Sequence, residues 1–195
     1  ELFTPGIGNL IRKGVITGER KTIYKGRHIG AFVIGDDALY EDMNTNPAYM
    51  IAPGQITNDP FVIAQNDNMV SINTALEIDL TGQICSESIG SRMYSGTGGA
   101  TDFAYGALHS KGGRGIIAIS STAKKGTMTK IKPQLTPGAV VTISRNLADT
   151  IITEYGVAYM KGRTIPERAK ALIQIAHPDF RDELTFEAKK LGLIL

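Results

Sequence analysis

The chain has 195 residues, 42% of them hydrophobic and 21% charged, enough for one well-buried soluble core. Its formal charge of +2, with Lys and Arg scattered, argues against nucleic-acid binding through a basic face. No apolar run approaches the roughly 18–20 residues of a membrane span, so no membrane partner is expected.

There is no signal-peptide pattern at the start, and the single Cys85 excludes an internal disulfide, which suits a reducing cytoplasm. Cys85 lies in an apolar alternation and reads as a small packed residue. The chain opens at Glu1 without Met, and Glu1-Leu-Phe-Thr-Pro-Gly reads as the middle of something longer. Residues 1–195 are therefore expected to be a C-terminal domain whose N-terminal half is absent.

A short helix is predicted over Ile7–Lys13 after Pro5-Gly6, ended by Gly14. Ile29–Ile34 is a continuous apolar run, the pattern of a strand buried on both faces. Asp36-Asp37 is placed to cap a helix over Ala38–Met43. Tyr49–Ala52 reads as a strand, Thr57–Pro60 as a turn and Phe61–Gln65 as a helical turn. Met69–Leu80 is the best extended segment, and with Gln83–Glu87 it reads as a hairpin across Thr81-Gly82.

Thr101–Ser110 follows as a short helix. Ile116–Ser120 and Val140–Ile143 read as further buried strands, Met128–Ile131 and Thr150–Thr153 as strands. Thr164 and Glu167 form a capping box opening a helix with Ala169, Leu172, Ile173 and Ala176 on one face. Asp179–Lys190 is a last helix. The alternation predicts an α/β fold: an open, partly parallel sheet flanked by helices, with hairpin additions.

The segment that stands out is Ser95-Gly-Thr-Gly-Gly-Ala-Thr-Asp-Phe103. Clustered glycines let a ligand approach the backbone and can aim N–H groups at an oxyanion or phosphate; a flexible surface turn is the plainer reading. His28, His109 and His177 lie far apart, and no His/Cys pair has metal-ligand spacing, so no metal site is expected. There is no nucleophile elbow, and the dinucleotide fingerprint lacks its third glycine. Asn73 and Glu77 read as the polar face of a half-exposed strand. Lys124, in Ser-Thr-Ala-Lys-Lys-Gly, would suit a phosphate or be a solvated surface lysine. Glu154 ends a strand, where ligands of open α/β sheets bind.

Several blocks together resemble the acetyl-CoA hydrolase/4-hydroxybutyrate CoA-transferase family. They are Asn66–Asp79 with Gly82, Ser86–Phe103 with its Gly-x-Gly-Gly-x-x-Asp-Phe pattern, Ser121–Gly126, Ser144–Asn146, Thr153–Gly156, Lys161–Arg168 and Ile175–Arg181. They span nearly the whole chain, in order. The resemblance implies the C-terminal domain of a CoA-transferase, with the NagB/RpiA-like fold of that enzyme class.

It implies coenzyme A as substrate with no metal or prosthetic group, acyl-CoA and small carboxylates as partners, and a homodimer. The family's catalytic glutamate precedes the helix matching Ile7–Lys13, the place of Glu1. Gly98 and Gly99 would supply an oxyanion donor. Asn73, Ser95, Gly96, Gly99 and Lys124 would meet CoA, and Glu154 would support the site from behind.

The 4-hydroxybutyrate and butyrate branch looks closer than the succinyl branch. Transfer of CoA, hydrolysis of acetyl-CoA through the same intermediate, and a non-catalytic CoA- or metabolite-binding sensor are the three readings. The domain by itself is expected to be inactive, because the family's other oxyanion donor lies upstream of Glu1.

Overall fold

The computed structural model describes residues 1–195. Residues 1–51 form short parallel strand pairs held by two helices. β1 (Leu2–Phe3) and α1 (Pro5–Arg12) come first, then β2 (His28–Gly30), β3 (Phe32–Val33), α2 (Asp37–Thr45) and β4 (Tyr49–Ile51). β1 pairs with β3 and β2 with β4. The predicted cap at Asp36 is in place, its carboxylate accepting the Leu39 N–H at 3.0 Å, while α1 begins two residues before the expected Ile7, with Thr4 accepting the Ile7 N–H. Phe3, Leu39 and Tyr49 are the buried centre, with Ile7, Ile11, Val33 and Met43 packed around them.

The continuous buried strand expected over Ile29–Ile34 does not form. Its halves pair in different sheets, and Phe32 and Ile34 are exposed. An apolar run becomes a doubly buried strand only where layers cover both faces.

Residues 52–195 carry the main core. α3 (Gly54–Thr57) and α4 (Pro60–Ala64) come first; the extended segment expected over Met69–Leu80 then breaks into β5 (Val70–Asn73) and β6 (Glu77–Asp79), which lie in different sheets, and β6 alone forms the predicted hairpin with β7 (Ile84–Cys85). A second hairpin, β8 (Ser88–Ile89) and β9 (Arg92–Met93), precedes α5 (Ala100–His109). β10 (Arg114–Ala118), β11 (Thr122–Ala123), β12 (Met128–Thr129) and β13 (Ile131–Lys132) follow. The chain ends with β14 (Thr150–Thr153), β15 (Gly156–Tyr159), α6 (Ile165–Gln174) and α7 (Pro178–Lys190). The capping box of Thr164 and Glu167 opens α6 as predicted.

The central sheet has the order β15–β14–β10–β5; β5, β10 and β14 run parallel and β15 returns antiparallel. This is the expected partly parallel sheet with hairpin additions. Ile117, Ile151 and Ala158 on one face join Ala104 of α5, Leu172 of α6 and Leu184 of α7 in a cluster of 21 buried residues. The other face is open: Ile72 is 68% exposed and Tyr159 64%. Burial in β10 therefore alternates, and the fully buried strand expected over Ile116–Ser120 is half-exposed.

Val140–Ile143 is not a strand either: Ile143 makes one bridge to Ile84, and Val140 and Val141 are exposed. Glu77 departs from its expected half-exposed place. It is buried, and its carboxylate accepts the Thr136 N–H at 2.8 Å and the Thr136 hydroxyl at 2.7 Å, tying down a loop. Cys85 is buried, as its apolar setting predicts. No helix is long and apolar enough to cross a membrane.

Candidate active site

Backbone pairing fixes Glu1. Its carbonyl accepts N–H groups from Ala31 at 2.6 Å and Phe32 at 3.2 Å, at the start of the β1–β3 pair. Gly30 makes this approach possible: a Cβ there would lie 2.7 Å from the Phe3 ring and 3.1 Å from the Glu1 carbonyl oxygen. The Glu1 side chain then crosses to the larger region. Oε1 accepts from Asn58 Nδ2 at 2.9 Å. The Asn58 amide is itself oriented, because the Thr57 hydroxyl donates to its Oδ1 at 2.7 Å.

The glycine segment meets the same carboxylate. The carbonyl of Glu87 accepts the N–H groups of Tyr94 at 2.7 Å and Ser95 at 3.3 Å, anchoring the segment's start. Gly98 has φ +55°, the left-handed region that favours glycine. Gly99 is the N-cap of α5, and a Cβ on it would fall 2.8 Å from Glu1 Oε2 and 2.3 Å from Asn58 Nδ2. Neither the Gly98 nor the Gly99 N–H donates to a protein acceptor. The Gly99 N-cap thus sets the positive end of α5 beside the Glu1 carboxylate.

The surroundings are acidic. Asp102, in the first turn of α5, titrates above the usual carboxylate range, mainly through burial and then through the charges of Glu1 and Asp59. A cleft of about 1130 Å³ opens beside Glu1, between α1 with its following loop and α4 with Phe103 of α5.

The remaining predicted residues stand apart from this cluster. Ser95 and Gly96 are exposed on the glycine segment. Asn73 ends β5, half-buried, and Lys124 is exposed at the tip of the β11–β12 hairpin with φ +50°. Glu154 follows β14. Burial pushes its carboxyl up, but bonds from the Ser121 hydroxyl at 2.6 Å and the Ser121 N–H at 2.9 Å hold it below its ordinary range. None of Asn73, Lys124 and Glu154 hydrogen-bonds to Glu1.

Asn58 is the residue that sequence reasoning missed. Its signal, Thr-Asn-Asp-Pro, is that of any turn, and only folding brings it to Glu1. No three His, Cys, Asp or Glu side chains converge into a group that would hold a metal ion. Of the histidines, His28 packs beside Tyr49, His109 stacks on Tyr105 and His177 caps α7.

An open α/β sheet, a glycine-capped helix and a carboxylate seated at its start make up the candidate site, and likeness to known proteins gives the family. Residues 35–188 match the family model of the acetyl-CoA hydrolase/transferase C-terminal domain, and the chain belongs to that family. It is 50% identical over 190 residues to the 4-hydroxybutyrate coenzyme A transferase of Clostridium kluyveri, covering 97% of this chain and 44% of that protein. It is 47% identical over 194 residues to the succinyl-CoA:cyclohexane-1-carboxylate CoA transferase of Geobacter metallireducens, covering 100% of this chain and 44% of the relative. Among solved structures, RipA from Yersinia pestis superposes with a TM-score of 0.94 at 49% identity, over 100% of this chain and 44% of that one. The chain thus spans under half the length of these relatives.

Proposed function

We propose that this chain is the C-terminal domain of a CoA-transferase that moves CoA between a short-chain acyl-CoA and a carboxylate through a glutamyl-CoA thioester on Glu1. The observation that carries this reading is the seating of the Glu1 carboxylate, held by Asn58 and set against the glycine N-cap of α5.

A Glu1 oxygen attacks the thioester carbonyl, and the tetrahedral oxyanion expels CoA thiolate to leave a mixed anhydride. The thiolate then attacks the Glu1 acyl carbon and releases the original acyl group as its carboxylate. The enzyme now holds glutamyl-CoA, and an acceptor carboxylate reverses the sequence. Gly98 and Gly99 N–H groups receive the developing oxyanion, worth about 3–4 kcal/mol per donor in comparable sites. Asn58 fixes which Glu1 oxygen is free to attack.

Asn73, Ser95, Gly96 and Gly99 line the path of the pantetheine arm. Lys124 meets a CoA phosphate, and Glu154 steadies the Ser121 turn below it. Butyryl, 4-hydroxybutyryl and acetyl groups are the acyl groups of this reading, and CoA serves as substrate, with no metal or prosthetic group. A homodimer working in the cytoplasm, with an N-terminal half of the same chain completing the oxyanion hole, rounds it out.

The test is exchange between butyryl-CoA and acetate by the full-length protein. Ping-pong kinetics are expected. Tight CoA binding without turnover would favour a sensor, and release of free CoA without acceptor would favour a hydrolase.

A further inference from the structure

We propose that the largely apolar cleft beside Glu1 is the acyl chamber, and that it admits acyl groups longer than butyryl. This rests on the reading of Glu1 as the residue that takes up the acyl group. Glu1 forms part of the cleft wall, while Gly99 and Asn58 meet its carboxylate from outside that wall. A thioester whose carbonyl oxygen lies toward Gly98 and Gly99 would therefore have the cleft open to its acyl chain.

Apolar side chains make both walls, with Ile7 and Ile11 of α1 on one side and Ile56, Val62 and Phe103 on the other. At about 1130 Å³ the cleft exceeds the roughly 300–1,000 Å³ that suits a drug-sized ligand, so a four-carbon chain leaves most of it unfilled.

Burial lowers the Lys21 pKa from its ordinary value, and Lys21 donates to the Arg27 carbonyl at 3.0 Å. His28 is shifted the same way, by burial and then by the charge of Lys21, with Asp42 opposing. Arg20 and Arg27 line the cleft as well.

The test uses the full-length protein with propionate as acceptor and acetyl-, butyryl-, hexanoyl- and cyclohexanecarbonyl-CoA as donors. Val62→Trp narrows one wall and Ile11→Trp the other. The expected result is loss of kcat/KM for hexanoyl-CoA by about tenfold or more in each variant, with acetyl-CoA little changed. In the unsubstituted protein, KM for straight-chain acceptors from acetate to hexanoate should fall by about fourfold per methylene, a readout that needs no variant to fold.

Equal losses across all donors, no loss in either variant, or acceptor KM values that rise with chain length would overturn the assignment while leaving CoA transfer intact. Turnover of no donor at all would overturn the transferase reading and the chamber with it.

Discussion

The two regions of the molecule are built on different scales. Residues 75–194 share one core of 21 buried residues under a four-stranded sheet, whereas residues 1–51 centre on three, Phe3, Leu39 and Tyr49. Glu1 belongs to the small region by its backbone and to the large one by its side chain, through Asn58 and Gly99. In the proposed function the larger region supplies the anion-binding surface, and the smaller one carries the nucleophile to it. The site is a junction, so it is sensitive to changes that leave either region folded.

The largest expected effect strikes that junction. Glu1→Gln removes the nucleophile and should lower CoA transfer by at least about a thousandfold in the full-length protein, with the thermal transition unmoved. Gly99→Ala should follow, because its methyl group would lie 2.3 Å from Asn58 Nδ2 and 2.8 Å from Glu1 Oε2. At φ −91° the helix itself tolerates Ala, so a loss in kcat of about 10²-fold without loss of stability is expected. A Gly99→Ala enzyme with unchanged kcat would show that Glu1 does not react at this position.

Stability variants separate the two cores. Leu172 and Leu39 are both fully buried. Leu172→Ala should cost about 2–5 kcal/mol and lower the main melting transition. Leu39→Ala should instead speed hydrogen exchange over residues 36–49 and leave that transition nearly in place. Equal shifts from the two would mean that the regions unfold as one.

The smallest effects come from pH, at opposite ends of the scale. The Tyr49 hydroxyl donates to Asp42 at 2.6 Å. Burial first, then this bond and the Asp42 charge, raise its pKa to about 12 against an opposing Arg12. A raised phenol contributes stability that is complete below its ordinary value near 10 and lost as pH rises through about 12. Alkaline titration should therefore loosen the small region first, and Tyr49→Phe should remove that dependence.

Glu154 has the reverse sign: its lowered carboxyl contributes above its ordinary 4.5 and loses that contribution as pH falls through its lower folded value. Ser121→Ala should move the Glu154 titration, followed by NMR, back upward. A Glu154 titration unchanged in Ser121→Ala would rule out the Ser121 hydroxyl as a cause.

What the sequence disclosed follows the same division. The caps at Asp36 and Thr164 and the β6–β7 hairpin depend on neighbours in the chain, and they were readable. The apolar runs Ile29–Ile34 and Val140–Ile143 misled, because burial on two faces depends on which layers arrive, and none covers those outer faces. Family blocks pointed to Glu1 and the glycine segment. Asn58 stayed hidden because its partner lies 57 residues away and a turn asparagine carries no mark of that partner. Glu77 looked like surface for the same reason, its partner Thr136 being 59 residues distant.

The central claim is that Glu1 becomes covalently joined to CoA. Mass spectrometry of the full-length protein, after brief exposure to butyryl-CoA without acceptor, tests it most directly. The account predicts a CoA adduct, removable by hydroxylamine, on the peptide that contains Glu1 and absent from Glu1→Gln. CoA bound tightly without such an adduct would contradict it and leave Glu1 as a side chain that only joins the two regions.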